Sequence, residues 1–370
     1  MKRKEFCSLG IMSGTSIDGL DFSLIKSDGV KNVKIIKNKY YKFGRNIRNE
    51  IINLIEIFSL EKKFIRNEKF YEIDLKFINF VIRKIANFLS ELKGKEKKID
   101  LIGFHGNTII HSPKNNISVQ LGNPKILAKK IKIPVVANFR NKDIEYLGEG
   151  APLVPIYHKA IFSKTGKNIA VVNIGGISNF TFLSGKTYFT ASDIGPGNTL
   201  IDRVSFLKFR KYFDKNGLLA SKGEVNHNLV KNWMKKKLFK KSNPKSFDTK
   251  DFKISYFYQK KGISDLNYLR SLTYLTAKLI SKIEIELKKK VDFWIFSGGG
   301  VKNLTLMNDI KNLVGNENFF LSDELGFDSL FIESAAFGFI SIRTLKRLPS
   351  AFPETTGCKK KNVCGEIFNP

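Results

Sequence analysis

The sequence predicts an α/β protein of two domains that meet at a cleft. Apolar segments of strand length alternate with segments whose apolar residues recur at helical spacing. The chain has 370 residues, a length that suits two domains. The order strand, glycine-containing loop, strand, turn, strand occurs near the N-terminus and again in the second half, which indicates an internal duplication.

The elements of the first half follow from apolar periodicity and turn residues. Residues 6–11 have the composition of a buried strand, and residues 20–26 alternate apolar and polar side chains, as a half-buried strand does. The other predicted elements are, in order, a strand at 33–37, two helices within 46–92, a strand at 99–104, a helix at 124–131 and a strand at 134–139.

The second half repeats the opening order and then continues with longer helices. A strand at 169–174 leads into Gly175 and Gly176. The elements predicted after it are strands at 179–183 and 188–191 with a turn between them, a helix at 268–289, a strand at 291–296 and a helix at 329–345. We assign residues 1–130 and 340–370 to an N-terminal lobe and residues 131–339 to a C-terminal lobe.

The formal net charge of +30 is the most unusual bulk property. It would suit a nucleic-acid-binding protein that gains affinity by releasing counterions. The basic residues are instead scattered along the whole chain, and Lys, Ile, Asn and Phe are abundant together. We interpret the charge as a compositional bias and expect no nucleic-acid partner.

Cysteine content and hydropathy predict a cytoplasmic protein. The three cysteines, Cys7, Cys358 and Cys364, form neither a disulfide framework nor a C-x-x-C pair. The first apolar segment stops at Gly10, too early for a signal-peptide core. No stretch approaches the roughly 18 apolar residues of a membrane span, so we expect no membrane partner.

A loop rich in glycine and hydroxyl residues follows the first strand. Its residues are Gly14, Thr15, Ser16, Ile17, Asp18, Gly19, Leu20 and Asp21. Small residues let backbone N–H groups approach a phosphate, and Asp18 and Asp21 could face a magnesium ion bound to it. A hairpin turn with an internal Asx bond is the alternative. The loop matches neither a P-loop nor a dinucleotide-binding fingerprint.

Two further glycine-rich turns lie in the second half. Their candidate ligand-binding residues are Asn173, Gly175, Gly176, Gly298, Gly299 and Gly300. The first turn matches the position of the N-terminal loop, and two such loops facing each other can clamp the phosphates of ATP. The three successive glycines permit close approach of adenine or ribose. Together the loops predict a nucleotide cleft between the domains.

Asp193 is the candidate general base. It stands at a strand end before the stiff turn Gly195-Pro196-Gly197, which would hold its carboxylate at a fixed point. The alternative is that Asp193 caps the following helix, although Asn198 can fill that role.

Polar residues at the strand ends of the first half are candidates for ligand contacts, because α/β sheets bind ligands there. They are His105, Asn107, Gln120, Arg140 and Asp143. A lone histidine is more often structural, and Arg140 and Asp143 could instead form a salt bridge with each other.

Taken in order, these motifs resemble the anhydro-N-acetylmuramic acid kinase family over most of the chain. The matching segments are 12–16, 105–106, 120–122, 139–140, 150–155, 173–176, 193–198, 297–300 and 333–337. Residues 150–155 and 193–198 are the most family-specific. The resemblance implies the two-domain actin-like (ribonuclease H-like) sugar kinase fold with an interdomain nucleotide cleft.

The resemblance also implies a reaction. Water opens the anhydro bridge of 1,6-anhydro-N-acetylmuramic acid, and O6 takes the γ-phosphate of ATP, giving N-acetylmuramic acid 6-phosphate for cell-wall sugar recycling. It implies Asp193 as the base for that water, Glu333 as a second carboxylate near it, and Pro152 on the sugar side. ATP and Mg²⁺ are the implied cofactors.

The chain departs from the family pattern at four positions on the expected sugar side. The family usually has Gln, Asp, Arg and Gln where this chain has Asn107, Asn138, Lys142 and Glu149. These departures leave the fine substrate preference open. A kinase of the same fold acting on another amino sugar or a hexose, or a non-catalytic nucleotide-binding actin-like protein, are the alternatives. The sequence also leaves a homodimer open.

Overall fold

The structure is a computed structural model. It describes residues 4–14, 16–60, 66–94, 98–185, 187–240, 243–247, 249–257, 262–315 and 317–370. The chain forms two compact units, one comprising Met1–Ile161 with Phe331–Pro370 and the other Phe162–Leu330. Each unit contains a β-sheet with packed helices, so the predicted two-domain α/β fold is confirmed.

The strands of the described chain are, in order, β1 (Phe6–Ser13), β2 (Gly19–Ser27), β3 (Val33–Lys42), β4 (Leu101–Ser112), β5 (Ile117–Leu121), β6 (Val135–Ala137), β7 (Asn168–Ile174), β8 (Ile177–Ser184), β9 (Tyr188–Pro196), β10 (Phe293–Ser297), β11 (Phe319–Leu321) and β12 (Glu366–Phe368).

The α-helices of the described chain are, in order, α1 (Arg45–Leu60), α2 (Glu68–Ser90), α3 (Pro124–Ile131), α4 (Asn141–Glu145), α5 (Pro155–Phe162), α6 (Thr199–Phe209), α7 (His227–Met234), α8 (Ile254–Phe257), α9 (Asp265–Ile280), α10 (Ile283–Leu287), α11 (Leu304–Val314), α12 (Ile332–Leu345) and α13 (Pro353–Thr356).

The two sheets share one topology. In the first unit the strand order is β3-β2-β1-β4-β6, and in the second it is β9-β8-β7-β10-β11. In both sheets, the three strands that come first in the chain form an antiparallel meander. The next strand, β4 or β10, pairs in parallel with the first strand of the meander, and β6 or β11 pairs in parallel with β4 or β10. The first sheet adds β5 beside β4 and β12 beside β6, both antiparallel. The shared order supports the internal duplication that the sequence indicates.

The first sheet buries a different kind of surface on each face. Leu9 and Ile11 of β1 belong to an apolar core with Phe77 and Val81 of α2. The opposite face of β1 presents small residues to α12. Alternation of side chains along the strand separates these two surfaces.

Glycines allow α12 to approach the sheet very closely. A Cβ atom at Gly10 would overlap the carbonyl oxygen of Ser334, and one at Gly103 would overlap that of Phe337. Gly10 and Gly103 lie side by side on β1 and β4. No larger residue fits at either position without moving the helix, because both overlaps are with backbone atoms.

Hydroxyl pairs complete this packing. Ser8 of β1 and Ser341 of α12 lie 2.8 Å apart between their Oγ atoms, and Ser23 of β2 and Ser334 lie 2.7 Å apart. All four side chains are buried. Each hydroxyl therefore finds a partner in a place where an unpaired polar group would be costly.

The second sheet packs its core against α6, α7, α9 and α11. Val172, Phe180 and Phe296 from the strands share one apolar cluster with Leu200 of α6 and Leu272 of α9. The segment predicted as one helix at 268–289 forms α9 and α10 instead. The helices separate at Ser281, whose hydroxyl donates to the carbonyl oxygen of Lys278 and competes with the helical hydrogen bonds.

The observed division of the chain differs from the expected lobes. Residues 131–161 and 331–339 were assigned to the C-terminal lobe, yet they belong to the first unit. The reason is pairing and packing: β6 extends the first sheet beside β4, and α12 covers that sheet. Neither relation is visible in the local sequence pattern.

The strand β4 is longer than predicted. Its parallel pairing with β1 ends where Ser13 lies opposite Asn107, but the strand continues to Ser112 as one arm of a hairpin with β5. His105 and Asn107 consequently lie inside a strand rather than after its end. They still mark the edge at which the parallel part of the sheet stops.

Within the described residues, none of the helices combines the length and the apolar character that crossing a membrane requires.

Gly10→Ala is expected to destabilise the first unit by about 3 kcal/mol, because the added methyl group overlaps the backbone of α12. Gly44→Ala is the matched control, since a Cβ there meets no atom within 4 Å. Urea unfolding of the three proteins gives the comparison. Equal unfolding free energies for both variants would contradict the close approach of α12.

Candidate functional site

The loop between β1 and β2 forms a tight turn in the first unit. The N–H of Ile17 donates to the carbonyl oxygen of Gly14 at 3.2 Å, and Ser16 Oγ donates to Asp18 Oδ1 at 2.8 Å. Ser16 and Asp18 are exposed, and a Cβ at Gly14 would have no neighbour closer than 3.9 Å. Thr15, also predicted to bind ATP, lies outside the described residues. The loop is therefore open to a ligand on the side of Gly14.

Arg48 of α1 supports this loop from behind. Its Nε donates to the carbonyl oxygen of Ile17 at 2.9 Å, and its Nη2 donates to that of Ser16 at 3.4 Å. The carbonyl oxygens of Ser16 and Ile17 are thus bonded to the guanidinium, and the Ile17 N–H is bonded to Gly14, so Arg48 and the turn's own backbone hold the loop in place.

The other end of the predicted ATP-binding segment is part of β2. Gly19 and Leu20 are buried, so they shape the strand rather than offer atoms to a ligand. Asp21 is partly buried opposite Tyr40. Burial together with the nearby Asp18 and Asp21 carboxylates raises the pKa of Tyr40 to about 12. Both carboxylates therefore lie near the Tyr40 hydroxyl.

Asn107 braces the loop. Its Nδ2 donates to Ser13 Oγ at 3.0 Å and to the carbonyl oxygen of Gly14 at 3.3 Å. The residue is 1% exposed, and its Oδ1 has no hydrogen-bond partner in the structure as described. Asn107, a candidate for sugar binding, is thus bonded through its amide nitrogen to the loop between β1 and β2.

Gln120 and Pro152 keep some exposure. Gln120 lies on β5, where its Nε2 donates to Ser118 Oγ at 2.9 Å. Pro152 is partly exposed just before α5. Both remain accessible to a ligand of the first unit.

His105 and Arg140 form a buried pair. Arg140 Nε donates to His105 Nε2 at 3.1 Å, and Arg140 Nη1 donates to the carbonyl oxygen of Gly150 at 2.9 Å. His105 Nδ1 lies 3.1 Å from the carbonyl oxygen of Gly106, and its ring packs 4.4 Å from that of Phe337. Both ring nitrogens of His105 are thus occupied, so the expected sugar contact by this histidine is not supported.

Glu333 lies on the first turn of α12 and is partly buried. Burial raises the pKa of its carboxyl, and the positive charge of Arg140 acts in the opposite direction. The motif residues Arg140, His105 and Glu333 are therefore brought together in the first unit, although they are distant in sequence.

Asp143 requires a correction, because it is fully buried and structural. Its Oδ2 accepts from the N–H of Gly150 at 2.8 Å, and its Oδ1 accepts from Thr356 Oγ1 at 2.7 Å and Asn362 Nδ2 at 3.1 Å. At 0% exposure it offers no surface to a substrate. No ion pair joins it to Arg140 in the described chain. Its role is to tie the 148–150 turn to the C-terminal segment.

In the second unit, the turn after β7 is hydrogen-bonded to the segment between β9 and α6. The N–H of Gly197 donates to the carbonyl oxygen of Gly176 at 2.9 Å, and that of Asn198 donates to Gly175 at 2.8 Å. Thr199 Oγ1 adds a bond of 2.7 Å to the carbonyl oxygen of Gly176. The Gly175–Gly176 turn is therefore held by the start of α6.

The turn at 298–300 joins the same place. A Cβ at Gly298 would overlap Asn173 Oδ1, and one at Gly300 would overlap Ile174. Gly299 is exposed, and a Cβ there would meet nothing within 4 Å. The predicted nucleotide-binding residues of the second half are thus assembled at the carboxyl ends of β7 and β10.

A row of polar side chains crosses the second sheet just below these loops. Ser297 pairs with Asn173, Asn173 with Asn179, and Asn179 with Asp193, so four neighbouring strands each contribute one residue. Residues directly opposite in a sheet point to the same face. Ser297 is 1% exposed, and its Oγ lacks a partner among the described residues.

Asp193 is the acidic member of this row. It lies within β9, partly exposed, and its Oδ2 accepts from the N–H of Phe247 at 2.8 Å. The position before α6 is filled by Asn198, whose side chain makes no capping bond. Asp193 is therefore not a helix cap, and its carboxylate is held in place by the neighbouring segment 243–247.

The sequence does not single out Asn179 and Ser297 as site residues. Each is an end residue of a glycine-containing motif, and only the pairing register places it in line with Asp193. The signal in the sequence was the period-2 alternation of β8, which puts Asn179 on a face opposite to that of Phe180.

The family model for anhydro-N-acetylmuramic acid kinase matches residues 7–370 of the chain. An anhydro-N-acetylmuramic acid kinase of Rhodopseudomonas palustris is 36% identical over 366 residues, covering 98% of this chain and 99% of the relative. One from Pelagibacter ubique is 36% identical over 381 residues, covering 98% of both chains. Among solved structures, the activator of a 2-hydroxyisocaproyl-CoA dehydratase from Clostridium difficile aligns with a TM-score of 0.44 at 10% identity, over 92% of this chain and 96% of that one.

Gly197→Ala is expected to lower the stability of the second unit by about 2 kcal/mol, because its Cβ would overlap the carbonyl oxygen of Gly175. Gly299→Ala has open space around it and should leave the melting temperature within about 1 °C. Thermal unfolding measures both. A Gly197→Ala protein as stable as the Gly299→Ala control would show that the two loops are not in contact.

Proposed function

The chain belongs to the anhydro-N-acetylmuramic acid kinase family, and we propose that it opens 1,6-anhydro-N-acetylmuramic acid with water while phosphorylating its O6 from ATP. The products are N-acetylmuramic acid 6-phosphate and ADP, as needed for reuse of cell-wall sugars. The family match over residues 7–370, which includes Asp193, carries this proposal.

Asp193 is proposed as the general base. A carboxylate that is partly exposed and fixed by the N–H of Phe247 can accept a proton from water without first reorganising. The water oxygen bonds to the anomeric carbon, and the bond between that carbon and O6 breaks. O6 then bonds to the γ-phosphorus, and the bond from that phosphorus to the β,γ-bridging oxygen breaks, releasing ADP.

The glycine loops are proposed to hold the nucleotide. In the first unit, Arg48 fixes the loop after β1 through the carbonyl oxygens of Ser16 and Ile17, and Gly14 has open space around it. In the second, Gly175 and Gly176 form a partly exposed turn held by the start of α6, beside the exposed Gly299. Backbone N–H groups of such glycine-containing turns suit phosphate oxygens.

Asp18 and Asp21 are proposed to serve magnesium. Their oxygen donors suit a hard cation. The described chain contains no group of three or more His, Cys, Asp or Glu side chains that would hold a metal by themselves, which fits a magnesium ion bound mainly through the nucleotide. When bound, the ion would neutralise charge on the transferred phosphoryl group.

Asn179 is proposed to orient the water or the sugar for Asp193. It is directly opposite Asp193 on the neighbouring strand, is partly exposed, and its amide forms no hydrogen bond in the described part of the chain. An amide provides both a donor and an acceptor, so it can position a water molecule beside the base.

Asp193→Asn is expected to lower kcat by about 1,000-fold, because the amide cannot accept the proton from water. The dissociation constant of ADP should stay within about threefold, since the glycine loops are unchanged. Coupled assay of ADP release and titration calorimetry measure the two quantities. Asp265→Asn, at the start of α9, is the control. Normal turnover by Asp193→Asn would remove this carboxylate from the mechanism.

Asn179→Ala is expected to lower kcat by about 10- to 100-fold with little change in the KM for ATP. Asn228→Ala, an exposed site on α7 in the same unit, should behave as the unmodified enzyme. Steady-state kinetics at saturating sugar gives kcat and the KM for ATP of both variants. If only the KM for ATP rises, Asn179 contacts the nucleotide and the proposed orienting role is wrong.

The reaction itself is tested by mass spectrometry of product formed in ¹⁸O-labelled water. One labelled oxygen on the anomeric carbon is expected, because water supplies that oxygen. Phosphorylated product with an intact anhydro bridge, or without label, would refute ring opening. Parallel incubations with other amino sugars and hexoses test the substrate.

A further inference from the structure

Glu333 is a carboxylate without a direct partner. No hydrogen bond and no ion pair within 4.0 Å involves it in the described chain. It is nevertheless partly buried on the first turn of α12, an environment that favours the neutral acid. A second group must therefore supply positive charge if Glu333 is to act as a carboxylate.

Arg140 is the cation whose charge acts on Glu333. Its charge lowers the pKa of Glu333 against the effect of burial, and the Glu333 carboxylate in turn stabilises the charged guanidinium. The two groups interact without forming an ion pair within 4.0 Å.

Arg140 is fixed on its other side. Its Nε and Nη1 donate to His105 Nε2 at 3.1 Å and to the carbonyl oxygen of Gly150 at 2.9 Å, while its Nη2 has no bond in the described chain. Gly150 is held by Asp143, and Asp143 by Thr356. Two guanidinium nitrogens, Nε and Nη1, are thus hydrogen-bonded in the described chain, and Nη2 is not.

The tautomer of His105 follows from its two contacts. The carbonyl oxygen of Gly106 can only accept, so the proton must be on Nδ1, 3.1 Å away. Nε2 is then a lone-pair acceptor for Arg140 Nε. Burial and the Arg140 charge both lower the pKa of His105, which keeps the ring neutral. A protonated ring could not accept the bond from Arg140.

Helix α12 carries both Glu333 and Phe337, the residue whose ring contacts His105. Phe337 follows Glu333 by four residues, so both lie on one side of the helix. The Phe337 ring packs at 4.4 Å from the His105 ring. The close contact of α12 with Gly103 holds Phe337 against His105, and Glu333 lies one helical turn before Phe337.

From this geometry we propose that Arg140 is the positioning residue that keeps Glu333 ionised, and that neutral His105 acts by fixing the Arg140 guanidinium. The other titratable groups nearby are Cys364 beside Arg140 and His111 beside His105. Burial raises the pKa of the Cys364 thiol well above its ordinary value, so it stays neutral. The proposal rests on the proposed function, in which Glu333 would be the second carboxylate near the attacking water, as the family resemblance implies.

The first test is the pH profile of kcat/KM for Arg140→Gln. Without the guanidinium, Glu333 ionises only at higher pH, so the acidic limb should move up by about one pH unit, a tenfold loss of kcat/KM on that limb. Arg140→Lys should shift it less. Arg83→Gln, an exposed arginine on α2, is the charge-matched control and should not shift it. An unshifted limb in folded Arg140→Gln would overturn the proposal.

The second test concerns His105. Glutamine carries a carbonyl oxygen that can accept from Arg140 Nε, whereas phenylalanine fills the space without an acceptor. His105→Gln should keep the acidic limb near that of the unmodified enzyme, and His105→Phe should move it upward. Equal pH profiles of kcat/KM for His105→Gln and His105→Phe would show that His105 does not act by fixing the Arg140 guanidinium. Should Arg140→Gln fail to fold, this pair decides the proposal.

A readout independent of turnover separates this proposal from the proposed function. Infrared difference spectra during pH titration report the protonation of Glu333, assigned as the carboxyl signal absent in Glu333→Gln. If Glu333→Gln keeps full activity, the catalytic role of Glu333 fails. The Arg140 proposal still stands or falls on whether this signal titrates at higher pH in Arg140→Gln.

Discussion

The close contact between α12 and the first sheet is the constraint on which the first unit depends. Gly10 and Gly103 remove side chains where the helix backbone passes, and two serine pairs satisfy the hydroxyl groups buried there. A helix seated this closely has little freedom to rotate or slide, because interiors are densely packed. Its first turn therefore presents Glu333 at a defined place beside Arg140 and His105.

The second unit reaches a similar result by different means. Its loops are fixed by backbone hydrogen bonds between the Gly175–Gly176 turn and the start of α6. The sheet beneath them then aligns Ser297, Asn173, Asn179 and Asp193 through strand register alone. A rigid sheet holds such a row of side chains more precisely than a loop does, because each residue is fixed by its neighbours on both sides.

Buried polar groups in the first unit form a series of hydrogen bonds that runs from Asp143 to Arg140. Asp143 accepts a hydrogen bond from Gly150, Gly150 and His105 accept hydrogen bonds from Arg140, and the charge of Arg140 acts on Glu333. The outer members have no exposed surface for a ligand, yet they determine where the inner ones lie. Residues that look like ligand contacts in the sequence can therefore act by positioning the side chains that line the site.

The sequence by itself determined most element types, the two similar halves and the glycine loops, whereas the turn expected directly after Asp193 is the end of strand β9, which runs to Pro196. These features depend on spacing and backbone freedom over a few residues, which local sequence encodes. Tertiary structure alone decided the inclusion of β6 and α12 in the first unit, the structural use of Asp143 and His105, and the alignment of Asn179 with Asp193. Their partners are remote in the chain: Asp143 and Thr356 are 213 residues apart, and His105 and Arg140 are 35 apart. Contacts at such separations arise from strand pairing and helix packing, which no local pattern specifies.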